Sequence, residues 1–178
     1  QQRACINNAR QKHPTNKNQF NFLGDGMKLD IRKVLPKNPS EFSGYRAVRI
    51  LLAIYMFVIV VRSCIHFFAS DGGANSIAGI DISVAGGDNI IAIFHQWGAM
   101  QLLLVLLLYV LFFKYPGLTP LIALTFVIEP IFRLISGKIM PVTAEGTPPG
   151  ESLNGASFYV LAVLFIVSLI EKAPRKKS

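Results

Sequence analysis

Apolar residues in this chain fall into four runs separated by polar stretches. The first is YRAVRILLAIYMFVIVVRSCIHFFA, residues 45–69. The second is NIIAIFHQWGAMQLLLVLLLYVLFF, residues 89–113, and the third is GLTPLIALTFVIEPIFRLISG, residues 117–137. The fourth, GASFYVLAVLFIVSLI, is shorter and is extended at both ends to a span over residues 154–171. A bilayer core is crossed by about 20 residues of helix, and a slightly shorter run is tolerated when its flanks snorkel. One such run could be the buried helix of a soluble domain, but a chain of 178 residues cannot hide four. The pattern predicts an all-α fold, an integral membrane four-helix bundle.

Composition agrees with that reading. The chain is 52% hydrophobic and 16% charged, with 13 Phe, too little charge to cover a soluble surface. The first 44 residues are polar, so no signal peptide opens the sequence given. Residues 1–26 are rich in Asn and Gln without apolar periodicity and read as disordered. Met27 and the basic segment after it look like a natural start, which makes residues 1–26 a non-native extension. Residues 27–44 are expected to lie at the membrane surface, with a short interfacial helix over 28–35 broken by Pro36 and Pro39. Ser43 is placed to cap the first span. Cys5 and Cys64 lie in unlike surroundings and form no disulfide framework.

The net charge of +8 matters for its location. Ten of the 18 Lys and Arg precede residue 50, Lys114 sits in the turn between spans two and three, and four lie in the tail 172–178. The connecting segment 70–88 has none and the segment 138–154 has only Lys138. Basic residues flank spans on the cytoplasmic side, so both termini are expected in the cytoplasm, in a multi-pass protein of a bacterial inner membrane. The charge is a topology signal and not a nucleic-acid footprint. The Gly-rich segment SDGGANSIAGIDISVAGGD, residues 70–88, lacks a following GK[ST] and is not a phosphate loop. Its Ile and Val residues are expected to fold it back over the helices.

The spans are not wholly apolar. Ionisable groups inside a span are costly and turn toward the bundle interior or a cavity. Span one carries Arg62 and His66, span two His95 with Gln96 and Gln101, and span three Glu129 and Arg133. At 1.5 Å per residue Arg62, His95 and Glu129 lie roughly 9–12 Å from the outer ends of their spans. Arg62 and His66 are four residues apart, as are Glu129 and Arg133, so each pair shares a helix face. Pro130 frees the carbonyl of Phe126 for a neighbouring donor. These residues predict a polar cluster in the outer half, with two arginines to one glutamate. Arg62, His66, His95, Gln96, Glu129 and Arg133 are the candidate ligand-binding residues, suited to an anionic amphiphile such as a lipid or quinone. The same groups can instead lock helices together. His66, His95 and Glu129 offer two imidazoles and a carboxylate, but no HxxxH or HExxH spacing supports a metal, and the arginines would repel one. No nucleophile is framed by a motif and no catalytic residue is assigned, which weighs against an enzyme without deciding it. No motif names a cofactor.

Three stretches carry a family resemblance: RSCIHFFASDGGANSIAGI, HQWGAMQLLLVLLLYVLFF and PLIALTFVIEPIFRLISG. Over residues 45–171 the chain resembles small bacterial four-span membrane proteins of unknown function in the broad DoxX-like group. The resemblance implies a first span, an extracytoplasmic loop, a span hairpin with a short cytoplasmic turn, and a short last span. Some members of that group are linked to quinone-dependent oxidation, which implies a membrane oxidoreductase subunit as one reading. The others are an accessory or assembly component of a membrane complex, and a binder or carrier of an anionic amphipathic ligand. The partners expected are the lipid bilayer and membrane proteins or further copies of the chain, with no nucleic acid.

Overall fold

The structure, a computed structural model, describes residues 19–23 and 27–171. The stretch before residue 19, with Cys5, and the basic tail 172–178 lie outside the described residues. The elements are strands β1 (Gln19–Leu23) and β2 (Met27–Asp30), a 3₁₀ turn (Ile31–Val34), and helices α1 (Arg46–Phe68) and α2 (Gly87–Lys114). A second 3₁₀ turn (Pro116–Leu118) leads into α3 (Thr119–Ile139), followed by α4 (Pro149–Ser152) and α5 (Asn154–Ser168).

Three helical stretches are long and apolar enough to cross a membrane: Arg46–Phe68, Gly87–Lys114 and Pro116–Ile139. At 1.5 Å per residue they measure about 34, 42 and 36 Å. Helix α5 has 15 residues, about 22 Å, and by itself falls short of a bilayer core. The helical backbone of Leu153 joins α4 to it, so residues 149–168 are helical almost throughout.

The helix ends follow from local sequence. Nothing between Arg46 and Phe68 breaks a helix, and α1 stops where Asp71-Gly72-Gly73 begins, with both glycines at positive φ. Its N-cap position is Tyr45, so Ser43 lies beyond capping reach. Gly86, at φ 88, turns the chain into α2. Pro120 sits in the first turn of α3, where its missing N–H is harmless.

The helices pair as two antiparallel hairpins. On the first, Tyr109 donates to the Ala53 carbonyl at 3.0 Å and the His95 ring meets the Phe67 carbonyl at 2.8 Å. On the second, Asn154 donates to the Pro130 carbonyl at 3.0 Å and Arg133 to the Gly150 carbonyl at 2.9 Å. The core between them is Leu52 and Met56 of α1, Val105, Leu108 and Phe112 of α2, Ile122, Ala123, Phe126 and Val127 of α3, and Leu161 of α5. On α1, α2 and α3 these residues keep to one side at helical spacing, and Leu161 faces them from α5. Tyr55 and Phe126 join the hairpins edge to face at 5.1 Å.

The opposite faces are as apolar as the core. Phe57 is 61% exposed, Leu103 64%, Phe132 67% and Val160 61%. A water-soluble protein does not leave so continuous an apolar surface uncovered. Hydrocarbon around the helices removes the conflict, and the chain is a membrane protein by this physical argument.

The N-terminal segment departs from expectation. Residues 19–23 pair antiparallel with β2 instead of lacking structure, and 28–35 is a strand and a 3₁₀ turn, not an interfacial helix. Met27–Asp30 alternates apolar and polar, a period of two that suits a strand. Asp30 then caps the turn by accepting from the Arg32 N–H at 3.0 Å and pairing with its guanidinium at 2.9 Å. That partner holds the Asp30 carboxyl below the usual range. A bridge from Leu29 to Ile170 and a bond from the Asp30 N–H to the Leu169 carbonyl at 3.2 Å dock the hairpin on the end of α5.

Candidate functional site

Polar side chains collect at one level of the helices, about two turns from the Phe68 end of α1. Gly98 creates the close approach on which this level is built. A methyl group at Gly98 would lie 2.6 Å from the Phe67 nitrogen and 2.7 Å from the His66 carbonyl carbon, so α1 and α2 touch backbone to backbone there. Trp97, next in α2, is thereby pressed against α1.

Two residues of α1 meet Trp97. The Arg62 guanidinium lies over its ring at 4.8 Å from the centroid. The His66 ring lies 4.7 Å from it and 5.7 Å from Phe94. His66 is 5% exposed, and its Nδ1 donates to the Gly72 carbonyl at 2.7 Å. That bond keeps the proton on Nδ1 and leaves Nε2 as the acceptor of the neutral ring. The Gly72 turn is held in place by Asp71, whose carboxylate accepts from the N–H groups of Ser76 at 2.7 Å, Gly73 at 2.8 Å and Asn75 at 3.1 Å. Those bonds, that from Ser76 foremost, lower the Asp71 carboxyl to about 2. Ala74 behind the turn is fully buried, so the segment covers the end of α1. Gly79 also accepts from the Glu145 N–H at 2.7 Å, which ties the two interhelical segments together.

On the second hairpin Arg133 ion-pairs with Glu129 and donates to Gly150. Pro130 opens the helix ladder as expected, but the carbonyl bonded by a neighbour is its own, by Asn154, and not that of Phe126. Arg62, Tyr55, Glu129 and Arg133 are within electrostatic reach of one another.

The six candidate residues therefore divide. Arg62 and His66 meet at Trp97. Glu129 and Arg133 pair with each other. His95 points its Nδ1 at the Phe67 carbonyl in the last turn of α1. Gln96 is exposed on α2. Trp97 is a member that charge and spacing did not single out. Among the described residues Arg62 has no hydrogen bond and no ion pair, only the ring of Trp97. Ser63 beside it is fully buried with its hydroxyl donated back to the Ile59 carbonyl at 2.7 Å, an arrangement that offers no nucleophile. Among the described residues no three His, Cys, Asp or Glu side chains group to hold a metal ion.

The other end of α1 carries a closed arrangement. Arg49 donates to the Phe112 carbonyl at 3.0 Å, the Pro116 carbonyl at 3.2 Å and the Thr119 hydroxyl at 2.9 Å, and lies 4.1 Å over the Phe112 ring. Its neighbours Ser40, Phe42, Gly44, Arg46 and Pro116 line a cleft of about 320 Å³.

No family model, no curated protein and no solved structure matches this chain.

Proposed function

We propose that this chain is a multi-pass protein of a bacterial cytoplasmic membrane, a four-helix bundle with both termini in the cytoplasm, that binds an anionic amphipathic ligand in its outer half. The DoxX-like resemblance and the distribution of Lys and Arg support that architecture and orientation. The observation that carries the binding function is Arg62. Its guanidinium lies within a membrane-spanning helix with five N–H donors and no acceptor among the described residues. Glu129, the nearest compensating charge on α3, is taken by Arg133. An anion drawn to Arg62 supplies the missing acceptors in a medium where charge-assisted hydrogen bonds are strong. Trp97 is the one neighbour that meets the guanidinium among the described residues, with its ring centroid 4.8 Å from Cζ.

The test is native mass spectrometry of the detergent-purified protein beside its Arg62→Leu variant, both offered an equimolar mixture of anionic and zwitterionic lipids. The parent retains the anionic lipid and the variant loses that preference. Equal retention by both proteins would refute the reading. A second reading, an accessory subunit of a membrane complex, draws on Glu129, Arg133, Gly150 and Asn154, which bond among themselves and need no guest. It predicts a co-purifying polypeptide in the same spectra and unchanged lipid retention when Arg62 is replaced.

A further inference from the structure

The cleft at the Arg49 end of α1 has fixed walls. The Gly117 N–H donates to the Pro39 carbonyl at 2.8 Å, which holds the segment before α1 on the turn between α2 and α3. The Ser40 N–H donates to Asn38 Oδ1 at 3.1 Å, and the Phe42 ring lies against Gly44, where a Cβ would meet it. Arg46 and Pro116, which line the cleft, are also the first residues of the membrane-spanning stretches Arg46–Phe68 and Pro116–Ile139. The cleft therefore sits where the head groups of that leaflet begin.

Two positive charges line it, and no carboxylate among the lining residues answers them. Arg46 is exposed and has no hydrogen bond or ion pair among the described residues. A guanidinium has five N–H donors. Arg49 spends three of them, on Phe112, Pro116 and Thr119, so its place is set while its charge and its other donors remain. The ion pairs among the described residues are Asp30–Arg32 and Glu129–Arg133, away from this cleft. A phosphomonoester carries roughly 1.5–2 negative charges at neutral pH and bonds guanidinium groups well. Helix α1 then supplies an apolar track. Ile50 lies four residues after Arg46 and Ile54 four after Ile50, so the three share a face, and both isoleucines are exposed on the lipid side. A soluble phosphate makes no use of that track, whereas an acyl chain does. We propose that this cleft, of about 320 Å³, binds the phosphate of a phosphomonoester lipid whose acyl chain runs along Ile50 and Ile54. Singly charged phosphodiester lipids match two arginines less well and remain the probes of Arg62.

The full-length protein in a neutral detergent is examined by native mass spectrometry with dioleoyl phosphatidic acid, dioleoyl phosphatidylcholine and glycerol 3-phosphate. Arg46→Gln and Lys114→Gln lose the same charge at the same end of the helices, but Lys114 does not line the cleft. Each is measured in the parent and in the Arg62→Leu protein, so that the outer site is not read in place of the cleft. Phosphatidic acid should be retained in preference to phosphatidylcholine, about tenfold more weakly in Arg46→Gln and at parent strength in Lys114→Gln, the scale of one charge-assisted bond. Equal retention of the two lipids by the parent protein overturns the proposal without recourse to a variant. Retention unchanged in Arg46→Gln, or weakened as much in Lys114→Gln, overturns the cleft as the site. Glycerol 3-phosphate bound as tightly as phosphatidic acid overturns the lipid and makes the occupant a soluble phosphate.

Discussion

Gly98→Ala tests the contact on which the site is built. A Cβ at this position would lie 2.6 Å from Phe67 N, 2.7 Å from the His66 carbonyl carbon and 2.8 Å from His66 Cβ, where ordinary contact begins at 3.4 Å. The shortfall is roughly 0.6–0.8 Å, and two of the three atoms belong to the α1 backbone, which has no rotamer by which to move aside. Relief requires the two helices to separate. Overpacking of this kind costs about 1–3 kcal/mol, and the better helix propensity of alanine returns up to about 1 kcal/mol. The net is a destabilisation of up to about 3 kcal/mol, smaller by whatever part of the propensity gain is realised. Gly137 on α3 is the control, because a Cβ there meets nothing within 4 Å. Gly137→Ala should gain about 0.5–1 kcal/mol from propensity alone, so propensity cancels between the two variants and they should differ by the overpacking cost, about 1–3 kcal/mol. Unfolding in mixed micelles followed by Trp97 emission measures both. If Gly98→Ala is as stable as Gly137→Ala, α1 and α2 do not touch at this level, and the stacking of Arg62 and His66 on Trp97 loses its foundation.

Three other substitutions address separate parts of the molecule. Arg49→Met removes the bonds to Phe112, Pro116 and Thr119 and should cost about 2 kcal/mol or more in the same unfolding assay, with Arg49→Lys a poor rescue because an ammonium cannot span three acceptors. Leu161→Ala empties a fully buried position and should cost about 2–5 kcal/mol, whereas Val160→Ala on the outward face, 61% exposed, should stay within about 0.5 kcal/mol. Asp71 ionises at about 2 when folded, below its unfolded value, so its stabilisation of the turn is fully present above about pH 4 and fades as pH falls toward 2. Hydrogen-exchange protection of the Gly73, Asn75 and Ser76 amides should therefore fall across that window, and Asp71→Asn should show weakened protection already at neutral pH, without the acid step.

Much of this fold is written in the apolar pattern, and the parts that are not have physical reasons. The starts and ends of α1, α2 and α3 follow from Gly, Pro and Asp at the ends of long apolar runs. The Glu129–Arg133 pair was legible because a spacing of four on one helix leaves little choice of partner. The azimuth of α2 was not legible. That helix is apolar on nearly all sides, so nothing in its pattern tells which residues face α1. Depth alone groups His95 with Arg62, while the neighbour that meets Arg62 is Trp97, two residues further along α2. Gly98 was the available signal, since a glycine inside a span marks the side where a second backbone comes close. The β1–β2 pair was hidden by its brevity. Four residues alternating apolar and polar resemble a turn of amphipathic helix as closely as they resemble a strand.

Three arginines lie in the long helices away from their first residues, and their surroundings separate structure from function. Arg49 spends its donors on Phe112, Pro116 and Thr119 and so closes the turn between α2 and α3. Arg133 spends its donors on Glu129 and Gly150 and so joins α3 to the segment before α5. Each is explained by what it binds within its own chain. Arg62 shares a helix with Arg49 and lies within electrostatic reach of Arg133, yet binds no acceptor among the described residues. If charge in this helix served only to hold helices together, Arg62 would be the poorest of the three at that task, and an apolar residue in its place would cost nothing. The difference is measurable by substitution to leucine at each position. Arg49→Leu and Arg133→Leu should destabilise the protein in lipid-free detergent, because their bonds are internal. Arg62→Leu should leave stability in lipid-free detergent unchanged or raised, and should abolish only the stabilisation that added anionic lipid confers. An Arg62→Leu protein that unfolds as early as the other two without lipid would place all three in one structural class and remove the case for a guest.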